Sequence, residues 1–141
     1  MTTIRTIAVG FDGSPDSEVA LVWALDLAGP LGARVVAVHA RGLLSRLEGW
    51  NSREMESIVA RLAHEHGVAD GDASVRVEEG DACSVLVRCS QAPVNADVLV
   101  VGSRGEGKHP GLLLGSTSLE LAQRAEVALV IVPGERDAAS V

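Results

Sequence analysis

Aromatic residues are scarce in this sequence: one Phe, two Trp and no Tyr among 141 residues. Proteins that bind single-stranded nucleic acid stack the bases on aromatic side chains, and this chain offers few of them. Basic residues are outnumbered as well, with 12 Lys and Arg against 19 Asp and Glu and a net charge of −7. Because duplex nucleic acid is bound through a basic surface, we expect no nucleic-acid partner.

Long apolar runs are also missing. A membrane-spanning helix needs roughly 20 consecutive apolar residues, and polar or charged residues interrupt every apolar stretch of this chain well before that length. The N-terminal residues contain no apolar stretch that is typical of a signal peptide. We therefore expect no membrane association and a cytoplasmic location.

Cysteine is rare too, with Cys83 and Cys89 as its only occurrences. Both fall in one predicted helix, where a separation of six residues corresponds to about 9 Å along the axis. A disulfide requires Cα atoms within about 7 Å of each other. We therefore expect two buried, reduced thiols and favour them over a redox role.

Segments typical of strands and helices alternate along the chain. Predicted strands cover residues 4–10, 34–39, 74–78, 97–101 and 127–132. A first helix follows the first strand, and three further helices cover residues 53–66, 81–91 and 117–124. The strands are almost continuously apolar, which indicates a parallel sheet covered on both faces. The fold class is therefore α/β, a doubly wound three-layer sandwich with five strands. We expect residues 1–141 to form a single domain with a frayed tail from about residue 135.

The first helix carries clear start and stop signals. Ser14 is placed to cap it and Pro15 to occupy its first position, while Gly29–Pro30 and Gly32 mark its end. The pairs Val19/Ala20, Trp23/Ala24 and Leu27/Ala28 form an apolar stripe that we expect to face the core. Residues 41–52 have an irregular composition that predicts no element.

A glycine-rich segment between the fourth strand and the fourth helix is the strongest functional signal. Glycines at positions 102, 105, 107, 111 and 115 precede Ser116, Thr117 and Ser118. Such a loop can point several backbone N–H groups at one place, and the helix start adds its own N–H groups and positive dipole end. This combination predicts a phosphate site.

Two common phosphate motifs do not fit this segment. A P-loop beginning at Gly102 would have His109 where Ser or Thr should hold Mg²⁺, and Pro110 follows where a helix should continue. A dinucleotide fingerprint beginning at Gly105 would require glycine at the position of Pro110.

Instead, Gly102, Gly105 and Gly115–Ser116 follow the spacing Gly-x2-Gly-x9-Gly-Ser. This pattern resembles the nucleotide-binding signature of the ATP-binding branch of the universal stress protein family. The resemblance extends from Ile7–Ser14 at the start of the chain to Val127–Pro133 near its end. It implies the strand order 3-2-1-4-5, with ATP bound where the first and fourth strands end.

The resemblance also implies roles for individual residues. Asp12 would lie by the ribose and phosphates and help to hold Mg²⁺ through them, Ala40 would meet adenine through its backbone, and Gly10 would allow close approach of the ligand. The implied phosphate contacts are Gly102, Ser103, Arg104, Gly105, Lys108, Gly115, Ser116, Thr117 and Ser118.

Each of these interpretations has an alternative without a ligand. Asp12–Gly13 is typical of an Asx turn, and Thr117 with Glu120 matches a capping box that starts a helix by itself. Arg104 is equally compatible with a structural role and Lys108 with a solvated one. His39, next to Ala40, is expected to be a packed, hydrogen-bonded histidine.

The combined interpretation is a nucleotide-binding module of the stress response that signals rather than turns ATP over. A slow ATPase or phosphotransferase at the same site is the alternative, and ADP, AMP and cyclic AMP remain open as ligands. In the implied strand order the apolar strand Val127–Val132 lies at an edge of the sheet. Exposed edges of this kind pair with other chains, so we expect a homodimer through this strand.

Overall fold

A computed structural model describes residues 3–42, 52–103 and 115–134 of the chain. Its elements are β1 (Thr6–Gly10), α1 (Pro15–Leu31), β2 (Arg34–Arg41), α2 (Ser52–Glu65), β3 (Ala73–Glu79), α3 (Ala82–Arg88), β4 (Val98–Gly102), α4 (Ser116–Arg124) and β5 (Ala128–Val132). Every predicted strand and helix is confirmed, with ends that differ by a few residues. The irregular segment after β2 and the predicted frayed tail lie outside the described residues, apart from the ends of the former.

The five strands form one parallel sheet in the order β3-β2-β1-β4-β5. This confirms the predicted doubly wound fold and its strand order. β1 pairs with β2 on one side and with β4 on the other, so the order of the strands reverses between β1 and β4. Ligands of such sheets bind where the carboxyl ends of those two strands diverge.

The helices cover both faces of the sheet and bury a core on each. On β1, Ile7 and Val9 point to the face packed by α1 and α2, whereas Ala8 points to the face packed by α3 and α4. This alternation is the two-residue period of a strand between two helical layers. The architecture is therefore the predicted three-layer sandwich.

The start of α1 is as predicted, whereas its end and its buried stripe are as predicted only in part. Ser14 caps the helix by accepting a hydrogen bond from the Ser17 N–H at 3.2 Å, with Pro15 in the first turn. The helix continues through Pro30 to Leu31, because a proline in the last turn removes only one helical hydrogen bond. Gly32 then ends it in a left-handed conformation with φ 64°.

The predicted stripe on α1 is wrong at Trp23, whose side chain is 39% exposed. The helix is rotated so that Leu21 and Leu25 are fully buried together with Ala20, Ala24 and Ala28. The three alanines lie on the buried side, which allows α1 to pack closely against the sheet.

Both cysteines are free and buried, as predicted. Cys83 lies in α3, and Cys89 caps the C-terminal end of that helix and donates its S–H to the Val85 carbonyl at 3.3 Å. Burial raises the pKa of each thiol to about 11. At neutral pH both groups are therefore protonated, which is the unreactive form of cysteine. No described helix is long and apolar enough to cross a membrane.

Candidate functional site

The structure brings several of the predicted site residues to one edge of the sheet. Asp12 follows the end of β1, Gly102 is the last residue of β4, and Ser103 comes directly after it. Gly115 precedes the first residue of α4, and its N–H donates to the Ser103 carbonyl at 2.6 Å. The two ends of the glycine-rich segment are therefore tied together beside the divergence of β1 and β4.

Asp12 forms the Asx turn that the residues alone predicted. Its carboxylate Oδ1 accepts the Ser14 N–H at 2.9 Å, and its own N–H donates to the Ser17 hydroxyl at 3.4 Å. A carboxylate has about four lone-pair sites, and this bond uses one of them. The turn and a binding role are therefore compatible, and the turn fixes the direction of the side chain.

The turn that carries Asp12 is held to the end of β2. The Phe11 N–H donates to the Val38 carbonyl at 2.9 Å, and the buried His39 donates its Nδ1–H to the Phe11 carbonyl at 3.0 Å. The prediction that His39 is a packed, hydrogen-bonded histidine is confirmed. This contact fixes its protonated ring nitrogen, because a carbonyl only accepts hydrogen bonds.

Ala40 lies within β2 and not at its end, because the strand continues to Arg41. Its β-carbon packs with the core beneath α3, while its backbone pairs with Glu78 of β3. On the other side, the ladder between β1 and β2 stops at the pair Gly10 and Val38. Ala40 therefore extends beyond the end of β1, at the edge of the sheet where Asp12 lies.

Gly10 is accounted for by core packing. A β-carbon there would lie 3.0 Å from Leu86 Cδ1 and 3.1 Å from Val101 Cγ1, both side chains of the core beneath α3. The structure thus explains this glycine without a ligand. Close approach of a ligand at Gly10 stays a prediction.

Gly102 is required by the first turn of α1. A β-carbon on it would lie 2.8 Å from the Asp16 backbone oxygen and 3.0 Å from the Asp16 carbonyl carbon. A β-carbon on Gly134, beyond β5, would overlap the Asp16 carboxylate. The buried Asp16, 3% exposed, is therefore the packing centre for α1, β4 and the segment after β5.

The burial of Asp16 is not among the features predicted from the sequence. The signal that could have revealed its burial is the glycine at the end of each neighbouring strand. Gly102 ends one apolar strand and Gly134 follows another, and both leave space for Asp16.

The predicted capping box at α4 is wrong. The helix begins at Ser116 with Gly115 as its N-cap, so Thr117 lies inside the first turn and no side chain caps the helix. Glu120 instead accepts a hydrogen bond from Arg124 Nη1 at 3.4 Å, one turn further along. The N–H groups at the start of α4 are therefore not satisfied by a capping side chain.

Ser118 anchors the start of α4 to the end of β4. Its buried hydroxyl lies 2.9 Å from the Gly102 carbonyl oxygen and 3.3 Å from the Ser103 carbonyl oxygen. A hydroxyl has one hydrogen to donate, so this hydrogen is directed to the backbone of β4. Ser116 is exposed and Thr117 half-buried in the same turn.

Arg104, Gly105 and Lys108 belong to the segment 104–114, which lies outside the described residues. In the part of the chain that the structure describes, no group of three His, Cys, Asp or Glu residues is arranged to hold a metal ion.

Comparison with known proteins places this geometry in context. The sequence profile of the universal stress protein family matches residues 3–133. A universal stress protein of Mycolicibacterium smegmatis is 32% identical over 148 residues, which covers 89% of this chain and 45% of the relative. The stress response protein NhaX of Bacillus subtilis is 26% identical over 162 residues, with 89% and 96% covered. The chain spans less than half the length of the mycobacterial relatives that it matches.

Solved structures of universal stress proteins share the fold of this chain. A universal stress protein crystallised in complex with cAMP is 27% identical, with a TM-score of 0.75 over 95% of this chain and 100% of that one. UspA from Lactobacillus plantarum, 16% identical, shares the fold with a TM-score of 0.79 over 94% and 99% of the two chains. With the profile matched over nearly its whole length, this chain belongs to the universal stress protein family.

Proposed function

We propose that the protein binds an adenine nucleotide, with ATP as the preferred ligand, where β1 and β4 diverge, and that it acts as a nucleotide-responsive module of the stress response. One observation carries this proposal. The Asp12 turn, the end of β4 and the glycine-capped start of α4 lie at the same edge of the sheet.

The phosphates would lie at the start of α4. Because Gly115 supplies no capping side chain, the first-turn N–H groups are suited to an anion, and the helix dipole favours negative charge there. The described residues on either side of 104–114 meet at this point, since Gly115 bonds to Ser103 and Ser118 to Gly102. Arg104 and Lys108 would add positive charge, and Gly105 would permit close approach of the backbone.

The nucleoside would extend from the phosphates towards β2. Asp12 would contact the ribose and help to position Mg²⁺ through the phosphates, while the Ala40 backbone would meet adenine beyond the end of β1. The contacts that hold Phe11 to Val38 and His39 support this assignment, because they fix the Asp12 turn beside β2 before any ligand arrives.

These residues favour binding and release of the nucleotide, and slow ATP hydrolysis or phosphoryl transfer is the alternative. Phosphoryl transfer needs a positioned nucleophile and neutralised charge. The one buried histidine of the described site, His39, directs a ring N–H into the backbone of Phe11. A cyclic AMP binder is a specific second candidate, because a related protein was crystallised with that nucleotide.

The test begins with the purified protein. We would denature it, identify any released nucleotide by chromatography, and titrate the emptied and refolded protein calorimetrically with ATP and Mg²⁺, ADP, AMP and cyclic AMP. We expect ATP to bind with a dissociation constant in the micromolar range. No binding of any of these nucleotides at millimolar concentration would contradict the proposal.

We also propose a homodimer formed through β5. This strand ends the sheet next to β4, and Leu129, Val130 and Ile131 are only partly buried in the isolated chain. Sedimentation at micromolar concentration is expected to give twice the mass of the chain, and Ala128→Lys, at an exposed position of the edge, is expected to weaken association. A monomer at that concentration would contradict the dimer.

Two further parts of the proposal concern the chain as a whole. The family match over residues 3–133 supports residues 1–141 as one domain. The two free, buried thiols suit a reducing compartment and support a cytoplasmic location. Fractionation of the native cells would test the location.

A further inference from the structure

A second cleft lies at the opposite end of the sheet, where the strands begin. It has a volume of about 230 Å³, and its polar lining includes Thr6, Arg34, Ser74 and Arg76. It lies beside the starts of β2 and β3, where Arg34 and Ser74 are exposed, and Pro93 and Val94 from the segment after α3 line it as well. Nothing in the nucleotide proposal uses these residues.

We propose that this cleft binds a small ligand through a phosphate-type oxyanion. The strand register places the donors together: Thr6 is the ladder partner of Arg34, and Val36 that of Ser74. Side chains of partner residues in a parallel ladder point to the same face. That face also carries Val38, which packs beneath α3 and is the partner of Arg76.

The arginines retain donors for a ligand. Arg34 Nη2 donates to the Thr6 hydroxyl at 3.4 Å, and Arg76 Nε donates to Glu78 Oε1. A guanidinium carries five N–H donors in a planar fork, so each of these contacts engages one of five. The fork matches two oxygens of a phosphate or a carboxylate at once.

The charged groups of the cleft favour an anion as its ligand. Glu78 is shared between Arg76 and Arg88, with Arg88 Nη2 at 4.0 Å from Glu78 Oε2. The residues that line the cleft carry two guanidinium groups, those of Arg34 and Arg76, and one carboxylate, that of Asp72. This positive region contrasts with the net charge of −7 of the chain.

The remaining lining indicates the size and character of the ligand. Val36, Pro93 and Val94 contribute apolar surface beside the arginines. Pockets for drug-sized ligands start at about 300 Å³, and this cleft is smaller. A free oxyanion and a small organic molecule that carries one share the required chemistry.

The test follows backbone amide signals of the folded protein by NMR during separate titrations with inorganic phosphate and with glycerol 3-phosphate. We expect saturable shifts at Thr6, Arg34 and Ser74. The stronger binder of the two identifies the source of the oxyanion, free or as a monoester. No saturable shift at these amides with either probe at tens of millimolar, or shifts confined to Ser103 and Ser116, would overturn the proposal.

Three variants make the result specific. Arg34→Gln and Arg76→Gln are each expected to weaken binding by about tenfold, the effect of losing one charge-assisted contact. Arg88→Gln is the matched control, because it removes the other partner of Glu78 without removing a residue that lines the cleft. Equal weakening by Arg88→Gln and Arg76→Gln would refute a direct contact from Arg76. Dispersed amide spectra of all three variants would establish that they fold.

Discussion

The backbone oxygen of Asp16 lies 2.8 Å from the position that a β-carbon on Gly102 would occupy. The end of β4 therefore packs directly against the first turn of α1, and only glycine fits between them. Since the obstacle is backbone and not the end of a flexible side chain, the structure cannot relieve it by a rotamer change. The candidate nucleotide site is thus built on a rigid junction.

The first prediction concerns this junction. Gly102→Ala is expected to lower the free energy of unfolding by about 1–3 kcal/mol, the range for overpacking a well-packed site. Gly42→Ala is the control, because a β-carbon at Gly42 would have nothing within 4 Å. Urea denaturation of both variants measures the effect. Equal stability of the two variants would show that the contact between Gly102 and Asp16 adjusts to a β-carbon at little cost in free energy.

The junction also shows what the sequence does and does not determine. The alternation of apolar strands and capped helices was enough to predict the sheet, because burial on both faces leaves continuous apolar runs. The close approach at Gly102 was not predictable, because it depends on how α1 is rotated about its axis. The error at Trp23 has the same origin, since several rotations satisfy one amphipathic stripe.

The candidate nucleotide site could likewise be predicted only in part. The positions of Asp12 and Gly102 follow from strand ends, which periodicity locates within a few residues. The first residue of α4 depends on tertiary structure and not on local sequence alone, which is why the predicted capping box of Thr117 and Glu120 is wrong. The burial of Asp16 arises from contacts with segments distant in sequence, which the pattern of residues around Asp16 itself does not show.

The second prediction separates the two roles of Asp12. Asp12→Asn keeps an oxygen that can accept the Ser14 N–H, whereas Asp12→Ala removes it. Asparagine is therefore expected to preserve stability, and alanine to lower the free energy of unfolding by about 0.5–1.5 kcal/mol. Both are expected to weaken binding of ATP with Mg²⁺ by about tenfold or more, because both remove the charge.

Calorimetry and urea denaturation on the same preparations would test this separation. Asp81→Asn is the matched control, since Asp81 also accepts a backbone N–H, from Ser84, but lies at the start of α3. If Asp12→Asn binds ATP as the original protein does, the carboxylate has only its role in the turn.

The third prediction concerns Ser118. Its buried hydroxyl bonds to the backbone at the end of β4, so Ser118→Ala leaves a carbonyl without this donor and is expected to cost about 1–3 kcal/mol of stability. Ser116→Ala, at an exposed position of the same turn, is expected to change stability by less than about 0.5 kcal/mol. Thermal or urea denaturation would compare them. A larger loss in Ser116→Ala would contradict the assigned anchor.

The fourth prediction concerns alkaline pH. Burial raises the pKa of Cys83 and Cys89 from 9.0 to about 11, so between these pH values the unfolded chain loses thiol protons that the folded chain keeps. The unfolded state then binds fewer protons, and stability falls as pH rises through this window. The stabilising contribution is fully present below pH 9.0 and lost towards pH 11.

The measurement is urea denaturation at several pH values between neutral and strongly alkaline, under reducing conditions. The variant with Cys83→Ala and Cys89→Ala is less stable throughout because it lacks two buried side chains, but its stability is expected to fall less steeply over the alkaline window. The difference between the two pH profiles isolates the thiols from the other groups that titrate there. Parallel profiles would show that the folded protein does not hold these protons more tightly than the unfolded chain does.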